Sequence, residues 1–109
     1  MKADEYQELA LRTANEHYKE KRLPSALSLA GESGEYIDLI KKILYHNVSE
    51  EKSAELEAKI IDELGDIAWS LAVACHANGI KLSQVMEANI EKLAKRHGDK
   101  YSSSYMEVK

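Results

Sequence analysis

The sequence predicts an all-α protein, a compact four-helix bundle in which a single domain spans residues 1–109. Alanine, leucine, glutamate and lysine dominate, while proline occurs once and glycine five times, and this composition favours helices over strands. Apolar residues recur at helical spacing in four segments, which turn-like sequences separate. A chain of 109 residues can bury one hydrophobic core but is too short for two.

Net charge and hydropathy argue against two classes of protein, general nucleic-acid-binding proteins and membrane proteins. The formal net charge is −4 without any block of basic residues, so general nucleic-acid binding is not expected. No stretch approaches the ~18 unbroken apolar residues of a membrane span, and the charged N-terminus does not resemble a signal peptide. The single cysteine, Cys75, lies among apolar residues and is expected in the core. Together these features predict a cytoplasmic protein with no membrane partner.

The first two helices are predicted from apolar spacing. The first runs from Ala3 to about Lys19, and the second from about Pro24 to Leu44. Proline suits the first turn of a helix, because its missing N–H would have no partner there. Gly31 and Gly34 fall inside the second helix, where each costs about 1 kcal/mol relative to alanine. Close packing of another helix and room for a phosphate group explain these glycines equally well.

The third helix is predicted from about Glu50 to Asn78, with Ser49 as its N-cap. From Ile67 to Cys75 this helix is apolar nearly all round, so it needs cover on both flanks. A subunit interface is therefore expected, with Trp69 as a candidate anchor.

The fourth helix is predicted to start with Ser83 as its cap and to end near His97. Its core stripe consists of four apolar residues at helical spacing, namely Leu82, Met86, Ile90 and Leu93. The remaining residues, 98–109, are rich in serine and lack periodicity, so a loosely held tail is expected there.

Two pairs of acidic residues are arranged symmetrically along the chain. Glu32 and Glu35 form one pair and Glu63 and Asp66 the other, each at a spacing of three residues, which places both side chains on one helix face. The midpoint between Glu32 and Asp66 is Ser49, and so is the midpoint between Glu35 and Glu63. A helical hairpin that turns at Ser49 would therefore bring four carboxylates to one height.

Such a cluster is electrostatically costly unless a cation binds to it. Two carboxylates ~6 Å apart at an effective dielectric constant of ~20 repel by roughly 3 kcal/mol. Oxygen ligands suit Mg²⁺ or Mn²⁺, and the Glu-x-x-His motif of a di-iron bundle is missing from both pairs. Acid pairs on helices are most often solvated surface, but Glu63 and Asp66 interrupt an apolar segment that runs from Ile60 to Trp69. The sequence thus predicts a metal site formed by Glu32, Glu35, Glu63 and Asp66.

The segments around these acids resemble the MazG-type all-α nucleoside triphosphate pyrophosphohydrolases. The similarity rests on Leu29 to Glu35 followed by Lys41-Lys42, on Asp62 to Trp69, and on a third block from Asn89 to Arg96. It extends over nearly the whole chain, roughly from Tyr6 to Tyr105. Each motif alone is weak, whereas the combination is specific.

The resemblance implies a MazG-like bundle that assembles as a dimer or tetramer and cleaves nucleoside triphosphates to monophosphate and pyrophosphate. The role implied is house-cleaning of the nucleotide pool with Mg²⁺ as cofactor, and two ions are expected during turnover. One carboxylate, with Glu35 as a candidate, would take a proton instead of binding metal. Residues of the third block would bind the substrate phosphates, namely Asn89, Lys92 and Arg96, which form a stripe at spacings of three and four residues.

Some questions stay open at this stage. Lys42 lies two turns after Glu35 and can contact a phosphate, but the helix dipole explains a lysine near a helix C-terminus slightly better. A phosphoribosyl-ATP pyrophosphatase would share the metal motif and differ in substrate. A non-catalytic helical interaction module is the alternative outside the enzymes. The preferred base is not predicted, and the aromatic candidates for contacting it are Tyr6, Tyr18, Tyr36, Trp69 and Tyr101.

Overall fold

The computed structural model describes residues 1–15 and 17–98. Within these residues the chain forms five α-helices, which are α1 (Ala3–Leu11), α2 (Arg22–Tyr45), α3 (Glu50–Ala58), α4 (Ile60–Ala77) and α5 (Leu82–His97). The predicted all-α class is confirmed for this part of the chain. The expected tail falls almost entirely on residues 99–109, which lie outside the described residues.

The third predicted helix is divided at Lys59 into α3 and α4. The backbone there stays right-handed, and the Lys59 N–H donates to the carbonyl of Leu56, three residues back, at 3.1 Å. The division is therefore a local tightening of one helix, and counting both segments together gives the four predicted helices. The predicted N-cap is correct, because the Ser49 hydroxyl accepts a hydrogen bond from the Lys52 N–H at 3.1 Å.

The first helix ends at Leu11, well before the predicted end at Lys19. Thr13 donates its hydroxyl to the carbonyl of Ala10 at 3.0 Å, and the indole N–H of Trp69 donates to the same carbonyl at 3.0 Å. The Asn15 side chain accepts a hydrogen bond from the backbone N–H of His17 at 2.8 Å. These hydrogen bonds give polar groups after Leu11 partners outside a helix. The predicted continuation of the first helix to Lys19 is therefore wrong. His17 lies beyond α1 and is exposed.

Side chains of α1 hold the beginning of α5. The Gln7 side chain accepts from the Leu82 N–H at 2.9 Å, and Asp4 accepts from both the N–H and the hydroxyl of Ser83 at 3.1 and 2.8 Å. Ser83 is therefore not the N-cap that the sequence predicted. The N–H groups that a cap normally satisfies receive their partners from a helix more than seventy residues earlier.

The main buried cluster lies where α1, α4 and α5 meet. It consists of Ala10, Ala72, Cys75 and Leu82, with Tyr6, Trp69 and Val85 packed against it. Cys75 is buried as predicted, and burial raises the pKa of its thiol. Trp69 packs within the chain, against α1, and its expected role as an interface anchor stays a prediction.

The chain is more open than the predicted compact bundle. Its radius of gyration is 17.3 Å, against roughly 13 Å for a compact domain of about 100 residues. Among the described residues α5 contacts α1 and α4 but not α2. Only Leu82 of the predicted α5 core stripe is buried, whereas Met86 and Ile90 are 51% and 46% exposed. None of the helices in the described ranges has the length and hydropathy needed to cross a bilayer.

Candidate functional site

The acidic residues lie where α2 packs against α4, the most extensive contact between helices of the described chain. The hydroxyl oxygens of Ser28 on α2 and Ser70 on α4 are 2.9 Å apart and share a hydrogen bond. One turn further along both helices, in opposite chain directions, come Glu32 and Asp66. The antiparallel packing of α2 and α4 therefore brings these two acids to the same height.

Three of the four predicted acids come together. Glu32, Glu63 and Asp66 each offer a carboxylate oxygen, and the three oxygens lie within 4.8 Å of one another. Glu32 and Glu63 are half-buried, while Asp66 is exposed. Among the described residues none donates a hydrogen bond to this group, which we call the acidic triad, and no cationic side chain forms an ion pair with it.

The acidic triad affects the protonation of its most central member. Burial raises the pKa of Glu32 above the ordinary value of a glutamate, and the neighbouring carboxylates of Asp66, Glu63 and Glu35 raise it further, in that order. Both effects have the same physical cause, because the site disfavours a further negative charge on Glu32. A bound cation would relieve both.

Glu35 does not belong to the triad. It is exposed and lies one turn beyond Glu32, close enough to contribute to the raised pKa of that residue. Its charge also contributes to the raised pKa of Lys42, although the hydrogen bond from Lys42 to Asp38 contributes most. The predicted convergence of four carboxylates is thus a triad with a fourth acid at its edge.

The predicted phosphate-binding residues are separate from the triad. Lys42 lies ten residues after Glu32 on α2, nearly three helical turns, and forms an ion pair with Asp38 at 2.9 Å. Both side chains of this pair are about half exposed. The α5 stripe of Asn89, Lys92 and Arg96 is exposed, on a helix that does not contact α2 within the described residues. Within a single chain this polar stripe therefore lies apart from the acids on α2.

The glycines beside the acids face open space. A Cβ atom added to Gly31, Gly34 or Gly65 would have no neighbouring atom of the described residues within 4 Å. Close packing of one of the five described helices therefore does not explain Gly31 and Gly34. The explanation that remains open is room for a ligand or for another subunit.

The sequence analysis missed the Ser28–Ser70 pair. Ser70 is completely buried, and Ser28 is half-buried. A signal was available, because Ser49 is the midpoint between Ser28 and Ser70 just as it is for the acid pairs. Serines at mirrored positions in two apolar helix faces can be recognised as a polar contact across the packed interface.

Comparison with known proteins settles the family. The model of the MazG nucleotide pyrophosphohydrolase domain matches residues 22–100, well over half of the chain. The chain belongs to the MazG family. The matched segment contains α2 to α5 and all residues of the acidic triad, whereas α1 precedes it.

Two curated relatives of this MazG protein carry names that say little about activity. The Gene 37 protein of Mycobacterium phage L5 is 34% identical over 73 residues, which is 64% of this chain and 60% of the relative. The uncharacterized protein YvdC of Bacillus subtilis (strain 168) is 38% identical over 47 residues, which is 43% of this chain and 44% of the relative. The chain thus spans about half the length of these relatives. No solved structure gives a significant match.

Proposed function

We propose that this MazG protein hydrolyses nucleoside triphosphates to the monophosphate and pyrophosphate in a Mg²⁺-dependent reaction, as house-cleaning of the nucleotide pool. The observation that supports this most directly is the acidic triad of Glu32, Glu63 and Asp66, whose oxygens lie within 4.8 Å without a neutralising cation among the described residues. Membership of the MazG nucleotide pyrophosphohydrolase family supports the same class of reaction. A solvated acidic surface would explain neither the partial burial of two of these acids nor their place in the family motif.

The donor set fits Mg²⁺ or Mn²⁺. Both ions prefer carboxylate oxygens, and Glu32, Glu63 and Asp66 together offer three of them within 4.8 Å of one another. Three carboxylates leave coordination positions for phosphate oxygens and water, and when bound the metal would activate a water molecule and stabilise charge on the leaving phosphate oxygens.

Different residues of the protein would have different roles in this reaction. Glu32, Glu63 and Asp66 would hold the metal, which would in turn bind oxygens of the triphosphate. Glu35, which lies outside the triad, would accept a proton from an attacking water. The positive groups Lys92 and Arg96, together with Asn89 and Lys42, would bind phosphate charge that the metal leaves uncompensated.

A homo-oligomer, either a dimer or a tetramer, belongs to the same proposal. The exposed apolar residues Met86 and Ile90 on α5, with Leu27 and Ile37 on α2, leave more uncovered apolar surface than an isolated helix bundle of this size normally has. The basic stripe of α5 lies apart from the acids of its own chain. A second copy that covers α5 would bring acidic and basic surfaces together.

Release of pyrophosphate tests the enzymatic function. The purified protein is incubated with canonical, deoxy and oxidised nucleoside triphosphates and with phosphoribosyl-ATP, each with Mg²⁺ and with EDTA. Glu63→Gln should lose at least two orders of magnitude in kcat, and high Mn²⁺ should restore part of it. The matched control is Asp62→Asn, which removes one negative charge from the exposed neighbour and should keep wild-type activity.

The outcomes separate the alternatives. Turnover of phosphoribosyl-ATP alone would assign the other pyrophosphatase branch. Absence of turnover on every substrate would leave the interaction module and overturn the enzymatic proposal. Full activity of Glu63→Gln would remove the acidic triad from the reaction.

A further inference from the structure

The contact of 2.9 Å between the hydroxyls of Ser28 and Ser70 is the only hydrogen bond that joins α2 to α4 within the described residues. No ion pair joins the two helices in that part of the chain either. Ser70 is completely buried, in a segment from Ile67 to Cys75 that is otherwise apolar. Because a buried hydroxyl without a partner costs free energy, this pair favours the arrangement in which the two serines face each other.

Apolar packing alone does not define how far α4 is shifted along α2. Hydrophobic contact is non-directional, and apolar residues recur at helical spacing on both helices, so a shift by one turn replaces one apolar contact by another. The hydroxyl pair does not tolerate this shift. Depending on its direction, Ser28 would come level with Ala74, or Ser70 with Pro24. A buried polar pair can fix the register of packed helices in this way.

The register decides whether the acidic triad exists. Glu32 lies one turn after Ser28, and Asp66 lies one turn before Ser70. A shift by one turn would move Glu32 by about 5.4 Å along the helix axis relative to Asp66, whereas the triad oxygens lie within 4.8 Å of one another. Repulsion between the carboxylates favours such a displacement, and the hydroxyl pair one turn away opposes it.

We propose that Ser28 and Ser70 are positioning residues of the metal site. Their hydrogen bond holds α2 and α4 in the register in which the acidic triad can bind one divalent cation. The inference rests on the proposed function for the presence of that cation. Neither serine acts as a ligand, and their effect is on the population of the competent register. The apparent Kd of the cation rises in inverse proportion to that population.

Binding of Mn²⁺ to the full chain without nucleotide tests the proposal, because it does not depend on turnover. Electron paramagnetic resonance measures the free Mn²⁺ that remains in a titration. Ser28→Ala, Ser70→Ala and the double variant should each raise the Kd about five- to tenfold, the usual effect of one lost hydrogen bond. Ser33→Ala is the matched control and should keep the wild-type Kd. Ser33 is half-buried and adjacent to Glu32, but its hydroxyl donates to the Leu29 carbonyl of its own helix at 2.9 Å.

Urea unfolding in EDTA separates positioning from general stability. Ser28→Ala leaves the buried hydroxyl of Ser70 without its partner and should be the least stable variant. The double variant removes both hydroxyls and should regain stability, yet its Kd for Mn²⁺ should stay raised because nothing then selects the register. Ser28→Thr keeps the hydroxyl and should bind Mn²⁺ as the wild type does. Its added methyl group has room, since Ser28 lines a cavity of about 240 Å³.

Two results would overturn the positioning role. One is a double variant that binds Mn²⁺ with the wild-type Kd, and the other is a Ser28→Thr variant that binds it as weakly as Ser28→Ala. If the wild type releases pyrophosphate and binds Mn²⁺ while all serine variants keep its Kd, this inference fails and the proposed function stands. If Mn²⁺ binding depends on the hydroxyl pair but no nucleotide is hydrolysed, the proposed function fails and the positioning role stands. A wild-type protein that binds no Mn²⁺ would overturn both.

Discussion

Ser28 and Ser70 share a hydrogen bond of 2.9 Å between their hydroxyl oxygens, and the two residues are equally far along the chain from Ser49. This one contact defines the register in which α2 lies against α4. Because each further turn keeps the same mirror relation, Glu32 comes level with Asp66. A buried polar pair between two apolar helix faces thus aligns the acids of the candidate site.

Metal binding should stabilise the fold. Since Mg²⁺ or Mn²⁺ would bind the native acidic triad and not the unfolded chain, the Tm should rise with metal concentration, by an amount equivalent to about 2.7 kcal/mol at one hundred times the Kd. Glu63→Gln should reduce this rise, and Asp62→Asn should not. Identical melting curves in EDTA and in excess Mg²⁺ would show that the triad is not a metal site.

The exposed apolar face of α5 should be covered by a second copy of the chain. Light scattering at micromolar concentration is expected to give the mass of a dimer or tetramer. Ile90→Asp places a charge in that face and should lower the mass, whereas Val48→Asp, at an exposed position between α2 and α3, should not. A wild-type protein that is already monomeric would contradict the assembly. Trp69→Asp is a poor test, because Trp69 packs within its own chain.

Gln7 should be one of the most costly polar side chains to remove. It is 6% exposed, donates to the carbonyls of Ala72 and Ile80, and accepts from the N–H of Leu82. Gln7→Leu leaves these backbone groups without their partner and should lower the free energy of unfolding by roughly 2–4 kcal/mol in urea titrations. Glu8→Leu, at the exposed neighbouring position, is the control. Equal losses of unfolding free energy for Gln7→Leu and Glu8→Leu would mean that the hydrogen bonds of Gln7 at the start of α5 contribute little to stability.

The contact between Asp4 and Ser83 should make stability depend on pH. Hydrogen bonds from the backbone and side chain of Ser83 hold the pKa of Asp4 below its ordinary value of 3.8. A lowered native pKa adds stability that is fully present above the unfolded value and is lost as pH falls through the native one. The difference in Tm between wild type and Asp4→Asn should therefore be largest near neutral pH and disappear in acid. A pH-independent difference for Asp4→Asn would refute the explanation.

The stripe on α5 should act on substrate binding and not on the metal. Lys92→Ala removes a charge-assisted contact to phosphate and is expected to raise KM about tenfold or more, with kcat nearly unchanged and no rescue by Mn²⁺. Lys95→Ala removes the same charge from a position about a quarter turn off the stripe and should behave as wild type. Steady-state kinetics across a Mn²⁺ titration measures both. If the two variants are indistinguishable, the stripe is ordinary surface.

Local sequence signals predicted most of the helices well. Proline in the first turn of α2, Ser49 before α3 and glycine after α4 and α5 are short-range features, and the structure places helix ends within a few residues of each. Gly79 has a φ of +72°, which explains why glycine follows α4. The mirrored spacing of the acids likewise indicated which residues of α2 and α4 come together.

Features that depend on distant contacts could not be predicted in this way. The first helix ends early because Trp69, 59 residues away, takes the Ala10 carbonyl. Side chains of α1 cap the beginning of α5. The local sequence pattern that predicted Ser83 as the N-cap was therefore misleading. The division between α3 and α4 at Lys59 occurs without a helix-breaking residue from which it could have been predicted. In the same way, Glu35 has the spacing of a fourth ligand, but its carboxylate does not join the three clustered oxygens of the acidic triad.

The caps from Asp4 and Gln7 have a consequence for where this domain begins. The family match starts at residue 22, so the helix that satisfies the first N–H groups of α5 lies outside the segment that defines the family. A chain shortened to residues 22–100 would expose the Ala72–Cys75 face of α4 and leave the start of α5 free to fray. Amide hydrogen exchange should then be fast at Leu82 and Ser83 in the shortened chain and slow in the full one. The segment recognisable by family resemblance and the unit that folds are thus different lengths of polypeptide.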